Sequence, residues 1–134
     1  MHVPLTQARK NRLESTRFHN VDAVRDELQN TFDIDIFTGI DAKDQKFAAL
    51  MFLRRHVYEH NGGEVDQEYL DQSGDTSVRL KQALREDQES AHRTVGAVMR
   101  LARNLHNGFH EILPPDEREI NRYARSNSHK SARP

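Results

Sequence analysis

There is no cysteine anywhere in the 134 residues of this chain. Disulfide bridges and thiolate metal sites are therefore excluded, although the absence says little about compartment. Long apolar runs are missing as well. None approaches the roughly 18 residues that a membrane helix needs, and the N-terminus carries no hydrophobic leader. A cytoplasmic location with no membrane contact is the expectation. Charge of one sign is also lacking: 20 Lys and Arg stand against 21 Asp and Glu, a formal net charge of −1. Bulk charge does not advertise nucleic-acid binding, so any such contact has to come from a local patch. Apolar residues are sparse, 35% against 31% charged, and the mean hydropathy is −0.90. That is polar for a compact monomer and implies a small core, a disordered tail or an interface shared with a partner. The length fits one domain.

What the sequence does carry is helical periodicity. Residues 1–20 are polar and basic, and Leu5, Ala8, Leu13 and Phe18 are spaced too irregularly to define a helix well. Asn20 is a natural N-cap for a helix built on Val21, Val24, Leu28 and Phe32. Asp33-Ile34-Asp35-Ile36-Phe37 then alternates like an extended segment, and Thr38-Gly39 marks a turn. Asp41 can cap a helix running to about His60, which Asn61-Gly62-Gly63 stops. A helical turn is expected around Asp66–Leu70, and Ser77–Leu84 reads equally as a short strand or a helical lead-in. From about Glu86, the residues Ala91, Val95, Val98, Ala102, Leu105, Phe109 and Ile112 recur at alternating spacings of four and three. Such a seam marks a long core helix, with a coiled coil as the alternative. After Pro114-Pro115 the chain is basic and poor in apolar groups, reading as a frayed helix and then a solvated tail. The expectation is an all-α, up-and-down bundle of four to five helices. Residues 1–115 form its single domain, residues 116–134 a disordered basic tail, and residues 41–60 and 86–113 a central antiparallel pair.

The chemistry concentrates in Arg54-Arg55-His56-Val57-Tyr58-Glu59-His60-Asn61-Gly62-Gly63. His56 and His60 stand four apart, the spacing of helical zinc sites. The glutamate does not sit where a metalloprotease base would, so no metal is expected. Arg55 and His60 form a different pair. A guanidinium is permanently charged and grips phosphate oxygens in two-pronged fashion. An imidazole takes and gives protons near neutral pH. Together they supply what metal-free RNA cleavage requires: a proton carrier and a cation for the charge that develops on phosphorus. On an ideal helix the two lie about 140° apart, so one side chain must lean or the helix end must distort. The bare spacing is weak, because Arg12–His19, Arg100–His106, Arg103–His110, Arg122–His129 and Arg54–His60 fit it too.

Context strengthens it. Arg55 is followed by the polar His56, and His60 leads into Asn-Gly-Gly and the acidic Glu64-Val65-Asp66. Tyr69-Leu70 and Gly74-Asp75 come next, and then the long amphipathic helix. Over roughly residues 15–113 the chain resembles the HEPN superfamily, in its branch of ribonuclease-like members with an Arg-x4–6-His motif. The resemblance implies a homodimeric helical bundle in which two motifs face one cleft. It implies a metal-independent endoribonuclease that needs no cofactor and acts on RNA in toxin–antitoxin, phage-defence or RNA-processing settings. A cognate antitoxin or regulatory protein is a partner of the kind it implies. Carried onto this chain, Arg55 and His60 would be the catalytic pair, His56 and Asn61 would support them, and Arg54 would be an additional phosphate contact. The 2′-hydroxyl would attack the neighbouring phosphate and leave a 2′,3′-cyclic phosphate. Some toxin members carry a tyrosine two residues past the histidine for modification by a partner. Gly62 stands there in this chain, which puts that regulation in doubt. Two other readings stay open: a non-catalytic HEPN-like module that binds RNA, nucleotide or protein, and an unrelated helical interaction domain.

Overall fold

Short polar residues at helix starts and left-handed residues at helix ends divide the chain. The computed structural model describes residues 6–15, 20–113 and 117–123, without the side chains of Arg9 and Leu13. Its helices are α1 (Gln7–Ser15), α2 (Val21–Phe32), α3 (Ala42–Asn61), α4 (Gln67–Ser73) and α5 (Gln88–Ile112). A further helical stretch covers 117–123, and no strand occurs among the described residues. The chain is thus all-α. No helix among the described residues is long and apolar enough to cross a membrane.

The caps follow from side-chain chemistry. Asn20 accepts hydrogen bonds from the backbone N–H groups of Asp22 and Ala23. Asp41, Asp66 and Asp87 accept from Asp44, Tyr69 and Ser90 in the same way. α3 ends at Gly62, whose φ of 60° is left-handed, and the N–H groups of Gly62 and Gly63 return to the Val57 carbonyl.

The core has two parts, joined by α3. The first gathers Val21, Leu28, Ile34, Ile36, Phe37, Ile40, Ala48, Ala97 and Leu101, with Phe32 and Phe109 packed against it at a ring separation of 5.2 Å. The second is smaller: Val57, Val65, Tyr69 and Leu84, flanked by Leu50, Leu53, Leu70 and Val78. This second cluster supports the half of α3 that carries the candidate site.

Two sequence expectations are corrected. The alternation over 33–37 does not make a strand. Ile34 and Ile36 are buried and Asp35 is exposed, but Asp35 accepts from the Phe37 N–H and folds the segment into a turn. Likewise, Ser77–Leu84 is neither strand nor helix. It is a loop clipped to residues 63–65 by Val65 N–H to the Gln82 carbonyl at 2.9 Å, Lys81 N–H to Val65 at 2.7 Å and Leu84 N–H to Gly63 at 2.8 Å.

The seam of α5 is buried only in part. Leu105 and Phe109 pack on the core, whereas Val95 is 59% and Val98 45% exposed, and Ile112 lies on the surface. Ala97, Leu101 and Gly108 face inward instead. Polar contacts set this rotation. Arg93 and Arg100 both hydrogen-bond Asp44 at 2.8 Å, and Asn104 donates to the carbonyls of Ile36 and Thr38. These contacts step backward along the chain as α5 advances, so the two helices meet in antiparallel sense, with the polar contacts near the start of α3. Gly108 completes the fit: a Cβ there would stand 2.7 Å from Ile34 Cγ2. In the expected tail, every residue of 117–123 is exposed, and 124–134 lies outside the described residues.

Candidate active site at the end of α3

The candidate residues occupy the last two turns of α3 and divide among three strips of the helix. On the first, Arg54 follows Leu50 and precedes Val57, spacings of four and three that point it at the second core. Its side chain is 12% exposed and sits between two carboxylates, 2.7 Å from Asp75 and 2.9 Å from Glu86. Arg54 also donates to the Tyr69 hydroxyl at 3.1 Å and to Ser77 Oγ. Tyr69 in turn donates to Asp75 at 2.6 Å, and Tyr58 donates to Glu86.

Burial alone would weaken the charge on Arg54, but its bonds to Asp75, Tyr69 and Glu86 more than offset that and fix the cation. Burial likewise pushes the Asp75 carboxyl up, yet hydrogen bonds from Ser77, Tyr69 and Arg54 hold it well below the usual carboxylate range. Burial, with the Asp75 carboxylate beside it, pushes the Tyr69 hydroxyl up to about 12. The phosphate contact expected of Arg54 therefore meets a guanidinium already engaged by protein carboxylates. Its visible work is to tie α3 to α4, to the loop at 75–77 and to the lead-in of α5.

On the second strip, Arg55 is exposed and pairs with Glu59 at 2.7 Å, one turn on. The third strip holds the imidazoles. His56 is half-buried and His60 exposed, with ring centroids 4.4 Å apart. α3 stays regular through Asn61, so its end does not distort to bring His60 over Arg55. Each of the two has its own neighbour one turn away, and the structure does not join them. Asn61 hydrogen-bonds Asp66, the residue that caps α4. It thereby fixes the turn that follows His60.

The strips predict the functional surface: Arg55, His60 and Asn61 open to solvent, and His56 behind His60. A groove of about 680 Å³ between α2, α3 and α4, lined among others by Lys46, Ala49, Leu53 and Gly74, contains none of them. Among the described residues, no three His, Asp or Glu side chains are grouped to hold a metal ion. Sequence reasoning missed the Arg54 cluster. The signal was there, because an arginine at a seam position between Leu50 and Val57 must find buried partners. Its partners, 21 and 32 residues away, were not legible without the fold.

No family model, curated protein or solved structure matches the chain.

Proposed function

We propose that the chain is a metal-independent endoribonuclease of the HEPN type that works as a homodimer, with Arg55 and His60 as its catalytic pair. The observation that carries this reading is their placement. Both lie in the last two turns of one helix and open to solvent, so a permanent cation and an imidazole stand at the same helix end, within reach of an approaching RNA strand. In the proposed reaction His60 takes the proton of the 2′-hydroxyl, and O2′ attacks the adjacent phosphorus. Arg55, turned from Glu59 to the substrate, balances the charge on the pentacoordinate phosphate. The P–O5′ bond breaks, the 5′-oxygen takes up a proton, and a 2′,3′-cyclic phosphate remains. A second copy supplies a second imidazole, so that one histidine removes the proton while its counterpart delivers one.

Homodimer formation has support in the exposed half of the α5 seam. Val95 and Met99 are each 59% exposed, and Val98 lies between them. A 3.5-residue apolar repeat on a long helix suits another helix as its cover. A cytoplasmic setting, with an antitoxin or regulatory protein as partner, belongs to the same proposal. The non-catalytic reading draws on a specific observation too: Arg55 is paired with Glu59 and not with His60. End-group analysis separates the two. The proposal expects RNA cut in the presence of EDTA, with 2′,3′-cyclic phosphate and 5′-hydroxyl ends. RNA bound and left intact would select the binding module.

A further inference from the structure

The middle of the loop between α4 and α5 carries a run of cations, flanked by Asp75 on one side and by Glu86 and Asp87 on the other. Residues 76–85 contain Arg79, Lys81 and Arg85 and no acid, within a chain whose net charge is −1. All three side chains are exposed, and none forms an ion pair among the described residues. Several cations elsewhere are paired: Arg12 with Glu27, Arg54 with Asp75 and Glu86, Arg55 with Glu59, and Arg93 and Arg100 with Asp44. Lys43 and Lys46, at the other end of α3, are also unpaired among the described residues and are the comparison for this loop. The acids near this loop are held by other groups: Asp75 and Glu86 by Arg54, Asp66 by the first turn of α4 and Asn61, and Asp87 by the first turn of α5. Glu64 is the exception, without a side-chain partner among the described residues. All keep their negative charge, but none of them pairs with Arg79, Lys81 or Arg85, whose three positive charges stand on one short stretch.

That stretch is held in place rather than left to wander. Arg54 grips it at both ends, through Asp75 and Ser77 on one side and Glu86 on the other. Leu84 is buried in the second core, and the backbone clip ties residues 81–84 to residues 63–65. The clip begins at Gly63, three positions past His60, so the cations stand at the same end of α3 as the candidate catalytic pair. Lys81 has a φ of 62°, a left-handed backbone uncommon for a residue with a side chain. The bond from its N–H to the Val65 carbonyl holds it there. Leu80, half exposed between two of the cations, offers an apolar surface beside them.

We infer that Arg79, Lys81 and Arg85 form a rail that holds the phosphate backbone of an RNA strand leading to His60. This inference rests on the ribonuclease reading for its direction but not for its chemistry, because a rail binds RNA whether or not the strand is cut. In this division of labour Arg54 positions the rail and touches no RNA. Three phosphate contacts release counterions on binding, and each contributes about 0.7 to the dependence of log affinity on log salt for a single strand.

The test is fluorescence anisotropy of the full chain with a labelled, uncleavable 2′-O-methyl oligoribonucleotide, titrated at several salt concentrations. The variant is Arg79→Gln/Lys81→Asn/Arg85→Gln. Asn is chosen at 81 because it tolerates the left-handed backbone. The rail predicts binding weakened by at least about tenfold at low salt and a salt slope shallower by about 2. Arg79→Lys/Arg85→Lys, which keeps the charge, should stay near the parent, as should Lys43→Gln/Lys46→Gln at the other end of α3. Equal losses from the Lys43/Lys46 variant and the triple variant would overturn the rail, as would an unchanged slope in the triple variant. If the parent cuts RNA while the triple variant binds normally, the rail alone is wrong. If the parent binds without cutting and the triple variant loses binding, the rail stands and the nuclease reading falls. A parent that does not bind RNA sinks both.

Discussion

Arg54 Nη2 lies 2.7 Å from Asp75 Oδ2, and this pair joins the helix carrying the candidate site to the loop that follows α4. Both side chains are largely out of water, Asp75 at 6% exposure. Removing one partner leaves the other charged and buried, which is far more damaging than losing a surface ion pair. Arg54→Ala should therefore destabilise the fold by about 2–4 kcal/mol. Arg55→Ala, on the next residue but exposed, should change stability by no more than about 1 kcal/mol. Urea unfolding of the two variants measures the contrast, and equal effects would show that the cluster does not anchor the loop.

The same pair sets a pH dependence. Hydrogen bonds from Ser77, Tyr69 and Arg54 hold the Asp75 carboxyl below its ordinary value of 3.8. A depressed carboxyl adds stability that is fully present above the unfolded-state value and lost as pH falls toward the folded one. The difference in melting temperature between the parent and Asp75→Asn should be constant from about pH 5 to 7 and shrink below about pH 4. A difference that grows on acidification would contradict the assignment.

Gly108 carries a packing prediction. With Ile34 Cγ2 2.7 Å from where a Cβ would stand, Gly108→Ala must push the turn at 34–37 away from α5. A loss of about 1–3 kcal/mol is expected from such overpacking, even though alanine is the better helix former. A more stable Gly108→Ala protein would mean that the contact gives way freely. Gly96, on the same helix with nothing within 4 Å of a Cβ, is the control: Gly96→Ala should be neutral or stabilising.

How much of this was legible in the sequence depends on range. Asn20, Asp41 and Gly62 announced their helix boundaries, because capping is decided within three or four residues. The inward face of α5 was not legible. Its apolar repeat pointed to Val95 and Val98, but Arg93, Arg100 and Asn104 turn the helix toward Asp44 and the carbonyls of Ile36 and Thr38, partners more than 45 residues away. The motif at 54–63 was visible as residue types, while the division of its two arginines was not: Arg54 faces two acids distant in sequence, and Arg55 faces Glu59.

The exposed half of the α5 seam yields the assembly prediction. Val95→Glu/Met99→Glu places charge on a stripe that solvent already covers in the single chain, so each protomer should fold as before. Multi-angle light scattering should show the parent as a dimer at micromolar concentration and this variant as a monomer. A parent that is monomeric throughout would remove the dimer from the proposed function.

The central claim is that the imidazole at the end of α3 moves the proton in RNA cleavage. His60 is exposed, and His56 stands behind it with its ring centroid 4.4 Å away. The most direct measurement is the single-turnover cleavage rate of a labelled RNA in EDTA for the parent, His60→Ala and His56→Ala, with circular dichroism to check the fold. The account predicts that His60→Ala loses cleavage by about 10²–10⁴-fold, the usual contribution of a general acid–base group, while remaining folded, and that His56→Ala retains most of the rate. A folded His60→Ala protein that cuts RNA as fast as the parent would contradict it.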